Sequence, residues 1–249
     1  MKVYFIGGLG CNSFYPQDLL LELPFEVAYI DLYQEATLPF LENLETLALW
    51  FEKQVDLSED VLLIAHSLGA DLAVALAARY KTLHLILVDG GFLDMGKLCS
   101  LEEELAEARM YLEHTCYESL EQVIEEEKEA APFWTENLEQ AVRTSYIYDQ
   151  SLSVFRLNLS FSLVKALLRL RRQVFGLLSE VVNPSLLILP ELGKETPNWK
   201  KEALALLPEK VRVVELADCG HSLYTEKPRE VGEIIVREWE KVFSARHGH

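Results

Sequence analysis

The chain has 249 residues, half of them hydrophobic and a quarter charged. That is enough for one α/β domain with a full core, or a core with a small cap, and it excludes a disordered chain. The formal net charge of −17 argues against general nucleic-acid binding, which needs clustered Lys and Arg on phosphates, and against adsorption to anionic membranes.

Short apolar runs recur along the chain: KVYFI from Lys2, FEVAYI from Phe25, VLLIA from Val61, HLILV from His84, SLLIL from Ser185 and VRVVEL from Val211. Near-continuous runs of this length fit strands of a parallel sheet buried on both faces. Helical patterns separate several of them, over Leu41–Lys53, Leu68–Arg79, Trp199–Leu206 and Val231–Phe243. The alternation predicts an α/β fold with a doubly wound, mostly parallel sheet of about six strands. It is interrupted once. From Phe92 to Val182 no convincing strand run occurs, and apolar residues such as Leu101, Leu105, Ala108 and Leu112 fall at helical spacing. The expected organisation is a core of residues 1–91 and 183–249, with a helical insertion over 92–182.

The four cysteines, Cys11, Cys99, Cys116 and Cys219, show no C-x-x-C pair and no zinc spacing, which fits reduced thiols. The opening MKVYFIGGLG is too short in apolar residues for a signal peptide, and no uncharged apolar run approaches the roughly 18 residues of a membrane span. A cytoplasmic location is the expectation.

The run VLLIA breaks into His66-Ser67-Leu68-Gly69 and then a helix. In an open α/β sheet, reactive groups collect beyond the carboxyl ends of the strands. A serine on a tight strand-to-helix turn exposes its hydroxyl there, above the N-terminal dipole of the next helix. Taken alone, the same residues fit a strand–turn–helix with a serine N-cap. Two further segments join them. DCGHSLYTEKPREV, from Asp218, places His221 after the last strand run, and GGLG, from Gly7, follows the first. The latter reads as a glycine-rich turn; it lacks the G-x-G-x-x-G spacing and the lysine of phosphate-binding loops.

The Ala65-His66-Ser67-Leu68-Gly69 stretch resembles the G-x-S-x-G nucleophile elbow of the α/β-hydrolase family, with Ala65 where glycine is usual. The G-H and E-x-P of the His221 segment are similar to that family's histidine loop, and the order of serine before histidine agrees. By that resemblance Ser67 is the nucleophile, His221 its general base, and the N–H groups of Leu9 and Leu68 form the oxyanion hole. Gly8 and His66 border the substrate. The acid departs from the pattern: Gly193 stands where the family usually writes Asp after the fifth strand. Asp89, directly after the fourth, is the preferred acid and Glu191 the reserve.

The insertion matches the family's cap in position. It is polarised, with eleven Glu between Leu101 and Glu129 and five basic residues but no acid between Arg156 and Arg172. Two solvated helix faces that attract one another explain this. Alternatively Arg169, Arg171 or Arg172 meets a carboxylate or phosphate on the substrate, and Arg169 and Arg172 are candidate substrate-binding residues. The resemblance implies cleavage of an ester or thioester of a small acyl compound through an acyl-serine, with no metal or organic cofactor. A monomer or homodimer is expected, whose partner is a small molecule. Two alternatives stay open: C–C bond cleavage or a lyase step on a carboxylated metabolite, and a non-catalytic binding protein that kept the fold.

Overall fold

The computed structural model describes residues 1–131 and 133–247. Pro132 of the insertion, and Gly248 and His249 of the second core segment, lie outside the described residues. Among the described residues there are nine strands: β1 Lys2–Ile6, β2 Ala28–Ile30, β3 Val61–His66, β4 Leu83–Val88, β5 Cys116–Tyr117, β6 Tyr146–Asp149, β7 Val154–Leu157, β8 Ser185–Pro190 and β9 Val211–Leu216. The α-helices up to the insertion are α1 Gln17–Leu21, α2 Leu44–Gln54 and α3 Leu68–Arg79. The insertion adds α4 Met95–Leu98, α5 Leu101–His114, α6 Leu120–Ala130, α7 Glu136–Ser145 and α8 Phe161–Arg171. After it come α9 Asn198–Ala205, α10 Leu223–Glu226 and α11 Pro228–His247.

Six strands form one parallel sheet in the order β2-β1-β3-β4-β8-β9. The strongest apolar runs occupy its middle: every residue of β3 is buried, as are five of the six in β4. Edge strand β9 is less covered, with Arg212, Val213 and Glu215 exposed, as expected for a strand at the sheet's margin. Two hydrophobic clusters sandwich the sheet. One joins it to α2, α3 and α8; the other joins its opposite face to α1, α10 and α11. The strand order steps out in both directions from β1 and β3, so the loops after β1, β3, β4 and β9 open at one edge of the sheet, at the crevice where such folds bind ligands.

The insertion departs from its sequence reading. It contains a three-stranded antiparallel sheet, β5-β7-β6, where no strand was expected. These strands are two to four residues long, too short to set up a recognisable period. Their hairpin is made locally. Asp149 Oδ1 accepts the Ser151 N–H at 2.9 Å, and Arg156 Nε donates to Asp149 Oδ2 at 2.7 Å. Nor is α8 separate from the core: Leu163, Val164, Leu167 and Leu168 pack in the same cluster as Ala70, Ala73 and Val74 of α3.

Candidate active site

Ser67 sits between β3 and α3 with φ 52° and ψ −124°. An L-residue pays roughly 1–3 kcal/mol for such a conformation, so the surrounding packing must impose it. Gly69 shows how: a Cβ there would stand 2.4 Å from the Gly7 carbonyl oxygen. Only glycine lets the start of α3 press this closely on the loop after β1. The Ser67 side chain does not cap its helix. It donates instead to His221 Nε2 at 2.9 Å, which sets aside the N-cap reading of this serine.

His221 lies in the loop after β9, and its Nδ1 donates to Asp89 Oδ2 at 2.7 Å. Asp89 follows β4 directly. It has φ 41° and its N–H bonds to the Ile188 carbonyl of β8, so the sheet itself fixes its carboxylate. Burial pushes the Asp89 carboxyl up, but its contacts with His221 and Lys200 outweigh that and hold it below the usual carboxylate value. Of the two acids considered from the sequence, the structure brings Asp89 to His221. Glu191 is exposed, and its backbone N–H bonds to Leu216 O.

His66 supports this line from behind. It is 4% exposed, and its Nε2 donates to the His221 carbonyl at 3.0 Å. Burial drives the imidazole down to about 3, so it stays neutral at physiological pH and holds the His221 backbone without adding charge. Its ring lies 4.7 Å from that of His221 and 4.8 Å from that of Tyr224. Gly8 lies against both neighbours: a Cβ there would meet His66 Nδ1 at 2.8 Å and Ser67 Cβ at 3.1 Å.

A cavity of about 850 Å³ opens over these groups. Gly8, Leu9, His66, Ser67 and His221 line it, together with Tyr33, Tyr111, Tyr146 and Arg156. Leu68 is buried as the first residue of α3, so its N–H belongs to the unpaired first turn of that helix. The loop after β1 is held from two sides. Tyr33 donates to Gly7 O at 3.3 Å, and Asn12 Nδ2 reaches Ala141 O and Ser145 Oγ of α7 at 2.8 and 3.0 Å.

The arginines of the insertion are placed otherwise than the substrate-binding expectation. Arg169 is exposed. Arg171 Nε donates to Asp71 Oδ2 at 3.0 Å, while Arg172 Nε and Nη1 bond Glu104 and the Cys99 carbonyl at 2.8 and 2.9 Å. None of the three lines the cavity. Two shielded carboxylates claim Arg171 and Arg172, because an unpaired charge at such a depth is expensive. The attraction between the acidic and basic segments is real at this one point, where α5 meets α8. Sequence reasoning missed Lys200, whose Nζ lies 2.7 Å from Asp89 Oδ1. A lysine on a short amphipathic helix carries no signal of such a contact. Among the described residues no cluster of His, Cys, Asp or Glu is arranged to hold a metal, and no helix is long and apolar enough to cross a membrane.

No protein-family model matches the sequence, and comparison with curated proteins gives no match. Solved structures do. The chain is similar to the thioesterase domain from the curacin biosynthetic pathway, at 20% identity over 95% of this chain and 90% of that one, with a TM-score of 0.72. It is similar to E-2-(acetamidomethylene)succinate hydrolase at 17% identity, over 95% and 90% of the two chains, with a TM-score of 0.69. A peroxisomal α/β-hydrolase from Saccharomyces cerevisiae matches 98% of this chain and 76% of its own at 14% identity, with a TM-score of 0.70. These likenesses define the architecture: the chain has the α/β-hydrolase fold.

Proposed function

We propose that the protein is a serine hydrolase that cleaves an ester or thioester of a small acyl compound through an acyl-serine intermediate. The observation that carries this reading is the unbroken line from Ser67 Oγ to His221 to Asp89, with contacts of 2.9 and 2.7 Å, at the floor of an open cavity. His221 Nε2 takes the Ser67 proton as Oγ attacks the carbonyl carbon, and returns it to the leaving alcohol or thiol. Asp89 keeps the Nδ1–H tautomer and stabilises the imidazolium that forms. The Leu9 and Leu68 N–H groups receive the negative charge that develops on the carbonyl oxygen. Water then repeats the sequence on the acyl-serine. Neighbours in fold named as a thioesterase and a hydrolase support this reading by analogy only.

C–C bond cleavage or a lyase step on a carboxylated metabolite, which the same triad would also serve, loses the support of the basic segment, since Arg169, Arg171 and Arg172 do not line the cavity. The rival of a non-catalytic binding protein relied on a missing acid, and the 2.7 Å contact of Asp89 with His221 weighs against it. A fluorophosphonate probe should label the wild-type protein covalently and leave Ser67→Ala unlabelled, with p-nitrophenyl acetate turnover lost in parallel. Ser67→Ala should melt at nearly the wild-type temperature, since Ser67 Oγ holds no structural bond. Undiminished labelling or turnover in that variant would remove Ser67 from the chemistry.

A further inference from the structure

Asp89 has two carboxylate oxygens, and each is engaged by a different cationic or basic group. Oδ2 receives His221 Nδ1 at 2.7 Å, and Oδ1 receives the Lys200 ammonium, also at 2.7 Å. The pair is shielded: the side chains of Lys200 and Asp89 are 16% and 6% exposed. Lys200 belongs to α9, which follows β8, so the ammonium comes from the segment where the α/β-hydrolase resemblance places a carboxylate. The segment after β8 therefore contributes the counter-charge, and the strand beside it contributes the acid.

We propose that Lys200 is a positioning residue that acts on His221 through Asp89, orienting the carboxylate and setting how much of its charge the imidazole feels. This rests on the hydrolase reading of the site. The physical case has three parts. A carboxylate on the end of a strand can rotate about χ2, and a second strong contact on Oδ1 fixes the plane that points Oδ2 at His221. Burial of Asp89 favours its neutral form, which would make a poor acceptor; the ammonium opposes that. Finally, an ammonium on the far oxygen draws charge away from His221, so the imidazolium is stabilised less than by an isolated carboxylate. The groups facing Asp89 are His221 from the loop after β9 and Lys200 from α9, with His66 and Cys219 one step further out. His66 stays neutral, and burial raises the Cys219 thiol, which keeps it neutral too. Lys200 is therefore the cation that balances Asp89 when His221 is neutral.

Lys200→Met and Lys200→Arg test this. With a small activated ester, Lys200→Met should lose about tenfold in kcat with KM held within about twofold, because the substrate never touches the ammonium. The acid limb of its kcat/KM profile should move up by about one pH unit, since the full Asp89 charge now falls on His221. Lys200→Arg should recover most of the rate and the wild-type profile. A second readout needs no turnover: the His221 Nδ1–H proton should give a far-downfield NMR resonance in the wild type, broadened or lost in Lys200→Met and restored in Lys200→Arg. An unchanged resonance and pH profile in Lys200→Met would overturn the proposal. So would a rate loss that arginine does not restore, accompanied by a lowered melting temperature. If the wild type itself turns over no ester, the hydrolase reading fails while the resonance still judges Lys200.

Discussion

Ser67, His221 and Asp89 come from three loops separated by 22 to 154 positions, and each is held by a contact that does not involve the others. Ser67 is fixed by the close approach of Gly69 to Gly7, His221 by His66 on its backbone carbonyl, Asp89 by its N–H on β8. Such support lets a site keep its geometry between turnovers. Ser67 and His221 were legible in the sequence because each stands in a short pattern tied to a strand end. The proposed acid was legible only as a choice of two, since a strand-terminal Asp has no pattern of its own and its placement against His221 depends on the β4–β8 pairing. Lys200 was not legible at all. The choice of acid can be measured. Asp89→Asn should lower kcat by about 10³ to 10⁴, because an amide donor against Nδ1 selects the wrong tautomer. Glu191→Gln should stay within about twofold of wild type. A crippled Glu191→Gln would mean that the loop after β8 rearranges in solution to reach His221.

Between elements, the informative joint is where α3, α5 and α8 meet. Asp71 of α3 is buried, accepts the Gly91 N–H at 2.9 Å and pairs with Arg171 at 3.0 Å; Arg171 and Arg172 share Glu104. A charged joint thus lies beneath an apolar one formed by the leucines of α8 and the alanines of α3. The six core strands and helices α2, α3, α9 and α11 were legible from their apolar runs and helical spacing, whereas α1 and α10, five and four residues long, are too short to show a period. The small sheet of the insertion was not legible either, since its strands draw their order from a hairpin and from contacts distant in sequence. Nor could spacing show that Arg171 turns inward while Arg169, two residues earlier, faces water. Arg171→Met should destabilise the fold by about 3 kcal/mol, because it leaves Asp71 buried without its cation. The pH dependence has a definite sign. Burial raises the Asp71 carboxyl to about 6 even with Arg171 present, and loss of the guanidinium raises it further. A folded-state value above the unfolded one means that protonation favours the folded chain, so relative stability returns as pH falls. The melting deficit of Arg171→Met should therefore be largest at about pH 8 and narrow toward about pH 6, where the wild-type carboxyl begins to take up its own proton. A deficit that stays constant across that range would mean Arg171 contributes by packing alone.

For the molecule as a whole, the charge of −17 and the lining of the cavity act in the same direction. Asp31, Glu35 and Glu127 border it, and the one arginine among the described residues there, Arg156, is already paired with Asp149 at 2.7 Å. Burial raises the Glu127 carboxyl, a sign that this wall is poorly solvated and that added negative charge beside it is unfavourable. Five tyrosines, Tyr15, Tyr33, Tyr111, Tyr146 and Tyr224, line the same space, and aromatic faces favour cations over anions. A substrate approaching this protein therefore meets a repulsive field if it is anionic, first from the surface and then from the walls. Three p-nitrophenyl esters of matched shape separate these contributions: one with a quaternary ammonium in the acyl chain, one with a tert-butyl group, and one with a carboxylate. At low ionic strength kcat/KM should fall in that order, with about tenfold or more between the first and the last. Raising salt from about 20 mM to about 0.5 M should compress the ratio, because the surface field is screened within a few ångströms. The part that survives high salt measures the cavity walls, and Glu127→Gln should reduce that part while leaving the neutral ester unaffected. A carboxylate ester turned over fastest would show that a cation reaches the cavity in solution, and would return the carboxylated substrates to consideration.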